Sequence, residues 1–273
     1  MTDAALSNPS TFRTAVPDAP AALNDRLKPL KIQPLRALKA FRKLMRDKED
    51  TAQVFEIMMA LNGKSTQRGY RRLISTFSGG RLAYERTEMA AVLSDRAYIA
   101  AFAPHTVGGA YRRFVHDEGL SAEGLIAESR KARGADATDI QHPVAWFGRR
   151  IRDTHDLWHV LTGYGRDGLG ELCLVAFSYA QTRSLGWAFI AVGGVIQAYR
   201  MGYGPQTAKA VWQAYRQGEK AAWLPGQDFV ALLSEPLEAA RARLNIALPT
   251  AYLAVPEELR RDPLRMAPTP AAA

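Results

Sequence analysis

The chain has 273 residues, enough for one large domain or two small ones, and its 47% hydrophobic content excludes wholesale disorder. A lone cysteine, Cys173, excludes an internal disulfide framework and any cysteine-rich zinc fold. The formal charge of +9 is unevenly spread: Lys31, Arg36, Lys39, Arg42, Lys43, Arg46 and Lys48 against Asp47 give a net +6, while residues 1–30 balance to zero. Such a block invites an anionic partner, nucleic acid or anionic lipid.

Residues 1–30 contain Pro9, Pro17 and Pro20, with neither an apolar signal core nor a strongly basic presequence pattern. They read as a flexible arm, and the cytoplasm is the default compartment. Pro34 suits the first turn of a helix carrying a stripe of Leu35, Leu38, Phe41, Leu44 and Met45. Asp50 and Gln53 resemble a capping box for a second helix, which Asn62-Gly63 ends. Tyr70, Leu73, Ile74 and Phe77 form a third stripe, expected to stop at Gly79-Gly80, and Met89, Val92 and Leu93 a short fourth. Thr106 caps a helix with Val107, Tyr111, Phe114 and Val115, and a polar helix follows from Ser121 to Arg133. Pro143 opens a helix expected to run to Leu161 and stop at Gly163. A Gly-rich loop then leads into a strongly apolar helical region from Glu171 to Tyr199, with a break expected at Gly193-Gly194. Gln206–Gln217 and Phe229–Leu244 are two further helices. No segment alternates as a strand. The expected fold is all-α: one mostly helical domain over 31–247 with a long apolar central region, an N-terminal arm over 1–30, and a Pro/Ala-rich tail over 248–273.

The sharpest motif is His155-Asp156-Leu157-Trp158-His159. At about 100° per residue, His155, His159, Asp156 and Arg152 fall at roughly 0°, 40°, 100° and 60° on one helix. Two imidazoles and a carboxylate on one arc can hold a divalent ion, and Glu171, opening the next helix, is the natural fourth ligand. The set suits zinc, iron or manganese. Arg152, and Arg149 one turn earlier, would either steer an anionic substrate group or form salt bridges to these carboxylates. The alternative for the motif is a packed histidine pair at a helix contact, which the added aspartate and glutamate disfavour.

His155 to Gly163, with Glu171 eleven intervening residues after His159, resembles the zinc motif HDxxHx(11)E of the Coq4 ubiquinone-biosynthesis proteins, and Thr106-Val107-Gly108-Gly109-Ala110-Tyr111 resembles that family's TxGxxY segment. The resemblance spans residues 35–247. It implies a helical, peripherally membrane-associated protein of coenzyme Q assembly, in bacteria at the cytoplasmic face of the inner membrane. It gives the zinc-ligand role to His155, Asp156, His159 and Glu171. The activity implied is loss of the C1 ring carboxylate from a polyprenyl-4-hydroxybenzoate intermediate, simple or coupled to hydroxylation, in which case iron or manganese replaces zinc. The rival implication is a non-catalytic scaffold for the other ubiquinone-biosynthesis proteins. The membrane surface is an expected partner of the +6 segment, the residues around Gly186, Gly193 and Gly194 offer either close packing or room for a polyprenyl tail, and a homodimer is compatible with the apolar helices.

Other classes fit less well. An HD-type phosphohydrolase wants further histidine and aspartate ligands, and a zinc peptidase wants glutamate where Asp156 stands. No zinc finger or RNA-binding motif supports nucleic acid as a partner. His116-Asp117 lacks a histidine four residues on, and His105 and His142 stand beside helix starts.

Overall fold

The computed structural model describes residues 31–46, 50–117 and 142–261. The arm over 1–30, the polar helix expected over 121–133 and residues 262–273 lie outside them. Among the described residues there are sixteen α-helices and no strand, with one isolated antiparallel bridge from Thr106 to Pro236. The fold is all-α and single-domain.

Its centre is α10 (Gly168–Thr182), which buries residues on every side from Leu169 to Gln181. A helix so placed must be apolar all round, as Leu172, Leu174, Val175 and Phe177 make it. It packs on α12 (Gly204–Lys220), and α11 (Leu185–Arg200) lies against both. α10 and α12 come close together at Gly218 of α12, where an added Cβ would meet the Phe177 carbonyl oxygen at 2.7 Å. On the outer side, α1 (Pro34–Leu44) and α2 (Thr51–Leu61) pair with each other, and Phe41 meets Phe189 of α11 edge-on at 5.4 Å. A smaller core of Leu73, Leu82, Trp146 and Phe147 forms where α3 (Ser65–Ile74), α4 (Phe77–Glu85) and α8 (Pro143–Asp153) meet. Between these regions run α5 (Met89–Ser94), α6 (Arg96–Ala100) and α7 (Val107–Asp117). The chain closes with α13 (Phe229–Leu232), α14 (Leu237–Arg243), α15 (Thr250–Leu253) and α16 (Glu257–Arg261). Residues 248–261, grouped with the tail on composition, contribute Tyr252 and Val255 to the main core.

Several boundaries differ from the sequence expectation, each for a local reason. The helix expected over 143–161 is two helices, α8 and α9 (His155–Thr162), parted at Thr154. The Thr154 hydroxyl donates to the Arg150 carbonyl at 2.8 Å, and its backbone (φ −93°, ψ 3°) leaves the helical region. The apolar region breaks at Arg183, which takes a left-handed conformation (φ 53°), and not at Gly193-Gly194. Those two glycines admit Phe41 and Leu172 against an unbroken α11, and Gly186 admits Met58, so each of the three serves close packing. Gly79-Gly80 lies inside α4, whose cap is Thr76, with its hydroxyl accepting from the Gly79 amide. Pro236 divides the expected 229–244 helix. The freed stretch of chain accepts from the start of α7, Val107 N–H to Glu235 O and Gly108 N–H to Leu233 O. In α1 the buried stripe is Ala37, Ala40 and Leu44, and Leu35 and Leu38 face outward among the basic residues.

Candidate metal centre

The centre is built by α9, α10 and the short loop between them. Gly163 ends α9 in a left-handed turn (φ 76°), and Asp167 caps α10 by accepting from the Gly170 amide at 2.8 Å. The loop returns the chain so that Glu171, in the first turn of α10, faces the end of α9. Ligand atoms of His155, His159 and Glu171 all lie within 4.8 Å of one another.

Each imidazole is held by Nδ1. His159 Nδ1 is 3.0 Å from the Tyr164 carbonyl, which can only accept, so that nitrogen donates and Nε2 is the one left to hold an ion. His155 Nδ1 is 3.3 Å from Asp156 Oδ1. This is the arrangement that fixes metal-binding histidines through their second nitrogen. His159 Nε2 is fully buried with no hydrogen-bond partner, and the nearest carboxylate oxygen, Glu171 Oε2, is 3.5 Å away. An orphaned buried imidazole nitrogen aimed at two further donors fits a divalent ion. Phe114 of α7 stacks on the His159 ring at 5.3 Å, and the two histidine rings meet edge-on at 4.8 Å.

The electrostatics agree. Burial pushes the Glu171 carboxyl up, but His159, His155 and Arg166 outweigh it and bring it down to about 2. Burial works against charge on His159, yet Glu171, the Tyr164 carbonyl and Asp156 together raise it above the usual imidazole range. Asp156 is likewise held below the carboxylate range, since contact with His155 overcomes its burial. Both carboxylates are therefore anions at neutral pH.

Of the residues singled out from the sequence, His155, His159 and Glu171 come together. Asp156 stands behind His155 and outside this compact set of three. Arg149 Nη2 pairs with Glu88 at 2.6 Å, and Arg152 Nε with Asp153 at 2.6 Å. The guanidinium beside the site is that of Arg166, with Nε 3.5 Å from Glu171 Oε1. Residue spacing points to neither Arg166 nor Phe114 as a neighbour of the site. Arg166 had one available signal, its place in the loop that joins two ligand-bearing helices.

An all-helical chain carrying two histidines and a carboxylate on consecutive helices defines a class of candidate metalloprotein. The match to the family model described as "Coenzyme Q (ubiquinone) biosynthesis protein Coq4" covers residues 27–250, and the chain belongs to that family. It is 26% identical over 179 residues to the mitochondrial ubiquinone biosynthesis protein coq4 of Botryotinia fuckeliana, spanning 65% of this chain and 60% of that one. It is 21% identical over 195 residues to the Uncinocarpus reesii mitochondrial COQ4 protein, 70% of this chain and 65% of that one. The chain thus spans under two thirds of these relatives' own lengths. The fold matches the crystal structure of a candidate ubiquinone biosynthesis protein from Nostoc punctiforme with a TM-score of 0.56, at 20% identity, covering 79% of this chain and 99% of that one.

Proposed function

We propose that this protein, within ubiquinone biosynthesis, carries out metal-dependent removal of the C1 carboxylate from a polyprenyl-4-hydroxybenzoate-type intermediate. The observation that carries the reading is the asymmetry of the donor set. The His159 side chain is fully buried, while those of His155 and Glu171 are 24% and 36% exposed. Donors so arranged leave one side open to a substrate, as a purely structural tetrahedral site does not.

His155, His159 and Glu171 would hold the ion, with Asp156 and the Tyr164 carbonyl keeping the two imidazoles in register. A bound divalent ion supplies stabilisation of negative charge, and an oxygen-coupled form of the reaction calls for iron or manganese in place of zinc. The anion-holding role expected of Arg149 and Arg152 suits Arg166 better, since Arg166 adjoins Glu171. In simple decarboxylation the C1–carboxylate bond breaks, carbon dioxide leaves, and the electron pair left at C1 takes up a proton. Asp156 and Glu171 are both ionised, so water entering at the open side supplies it. The test is precursor profiling by mass spectrometry in a deletion strain. A prenylated hydroxybenzoate that retains its carboxylate should accumulate, and should clear with the wild-type chain but not with His155→Ala. Restoration of quinone by His155→Ala would favour the scaffold reading instead.

We propose further that the substrate is reached from a membrane surface. No helix among the described residues is long and apolar enough to cross a membrane. Supporting surface contact, Leu35 and Leu38 stand on the outer face of α1 with Lys39 and Arg42. Beside α1, α11 exposes Leu185, Val192, Ile196 and Tyr199 along one stripe. Apolar side chains set among cations suit an anionic bilayer. A second copy of the chain, or another ubiquinone-biosynthesis protein, is the competing occupant of this face.

A further inference from the structure

We infer that Tyr252 is a positioning residue for the candidate metal centre, acting through the loop that joins the two ligand-bearing helices. The inference rests on the metal-site reading above. Tyr252 lies on α15, about eighty residues beyond that loop, and is buried. Its hydroxyl touches the loop at two points. It accepts from the Gly165 amide at 3.1 Å and donates to Asp167 Oδ2. Both contacts lie between His159 and Glu171 in the chain, and they bracket Arg166. The other oxygen of Asp167 caps α10 and so sets where Glu171 begins its turn. The residue before Gly165, Tyr164, supplies the carbonyl that holds His159 Nδ1. One phenol oxygen thus spans the two anchor points from which the imidazole and the carboxylate are aimed.

The surroundings leave the loop little room to take another path. A Cβ at Gly165 would meet the Tyr252 oxygen at 2.7 Å, and one at Gly170 would meet the Gly165 carbonyl oxygen at 2.1 Å. The Tyr164 ring packs edge-on against Tyr252 at 5.5 Å, and the Tyr164 hydroxyl donates to Gln217 Oε1 on α12 at 3.1 Å. On its far face the Tyr252 ring carries the Arg260 guanidinium at 4.9 Å. Removing the phenol oxygen leaves the Gly165 amide and Asp167 Oδ2 without their shared partner. The loop then has to be ordered at the moment an ion binds, and outer-sphere changes of this kind weaken metal affinity by about 10- to 100-fold.

The experiment titrates the metal-stripped full chain with Co²⁺ alone, following its visible absorption bands, and with Zn²⁺ in competition. Three variants accompany the wild type. Tyr252→Phe keeps the ring and removes the oxygen. Asp167→Asn retains an oxygen for the Gly170 amide and sets an NH2, which cannot accept, opposite the phenol. Val255→Ala, in the core one turn beyond Tyr252, lowers stability without touching the loop's hydrogen bonds. Tyr252→Phe is expected to bind Co²⁺ about tenfold more weakly, with altered absorption bands, and Asp167→Asn to lose affinity in the same direction by less. Val255→Ala is expected to lower Tm while keeping wild-type affinity and spectrum. Wild-type affinity and spectrum in both Tyr252→Phe and Asp167→Asn would overturn the inference, as would an equal loss in Val255→Ala. Absence of binding by the wild type would overturn the metal-site reading itself, and this inference with it.

Discussion

At the scale of single residues, His159 carries opposing pH dependences in its two states. Without an ion, its pKa is raised above the ordinary 6.5 through its contact with Glu171. The charged pair therefore stabilises the apoprotein fully below about pH 6.5 and is lost as pH rises through the higher folded value. With an ion the direction reverses, because the ligand must be neutral. Metal should be retained at pH 8 and released as pH falls, with release beginning above pH 6.5. Metal content after dialysis across that range, by plasma mass spectrometry, checks it. His155→Ala should abolish metal retention with little change in apoprotein Tm, since that side chain is partly exposed. His159→Ala should abolish it too and cost about 1–3 kcal/mol of apoprotein stability, because it empties a buried site against Phe114.

The clustering of His155, His159 and Glu171 is legible in the sequence because an i,i+4 pair and a short Gly-rich return depend on local geometry alone. Arg152 is not. Its expected arc assumes one continuous helix, and the Thr154 hydroxyl ends that helix two residues after it. Arg166 and Phe114 reach the centre through a loop path and a tertiary contact, and residue spacing encodes neither.

At the scale of elements, glycine has opposite meanings in different helices. Gly163 ends α9, whereas Gly193, Gly194 and Gly218 sit inside unbroken helices at close crossings, and only the neighbouring helix reveals which role applies. Helix propensity alone would credit Gly218→Ala with a gain of about 1 kcal/mol. Against it stands the Phe177 backbone at 2.7 Å, which cannot withdraw as a flexible side chain could. The substitution should destabilise the protein by about 1–3 kcal/mol by chemical denaturation. The stripe of α1 was misassigned for a related reason. Ala37 and Ala40 are buried on the packed face of α1, and Leu35 is left 74% exposed. On the membrane reading, Leu35→Glu combined with Val192→Glu should at least halve co-sedimentation with vesicles rich in phosphatidylglycerol. Tm should hardly move, since both side chains are already outside the core.

For the whole molecule, the candidate centre couples ion binding to global stability. The candidate ligands lie on α9 and α10, the latter the helix around which the main core assembles. An ion bound only by the folded state should stabilise it by about 2.7 kcal/mol at a hundredfold excess over Kd. Calorimetry with and without Zn²⁺ measures this, and His155→Ala should erase the shift. The all-helical class was legible from periodicity, and the core's use of residues beyond 247 was not. Tyr252 and Val255 sit in a segment whose alanines and prolines resemble a tail, and their burial depends on α10 and α12 being already in place.

The separation between Tyr252 and Asp167 also orders events in time. The two residues are 85 positions apart in the chain, whereas His159 and Glu171 are separated by one short loop. At roughly 5–20 residues per second, a ribosome takes about 4–17 s to cover that stretch. During that interval the nascent chain already carries both ligand-bearing segments, and the phenol that pins the loop between them has yet to be made. The pocket takes its final rigidity only after the later segment has emerged and docked.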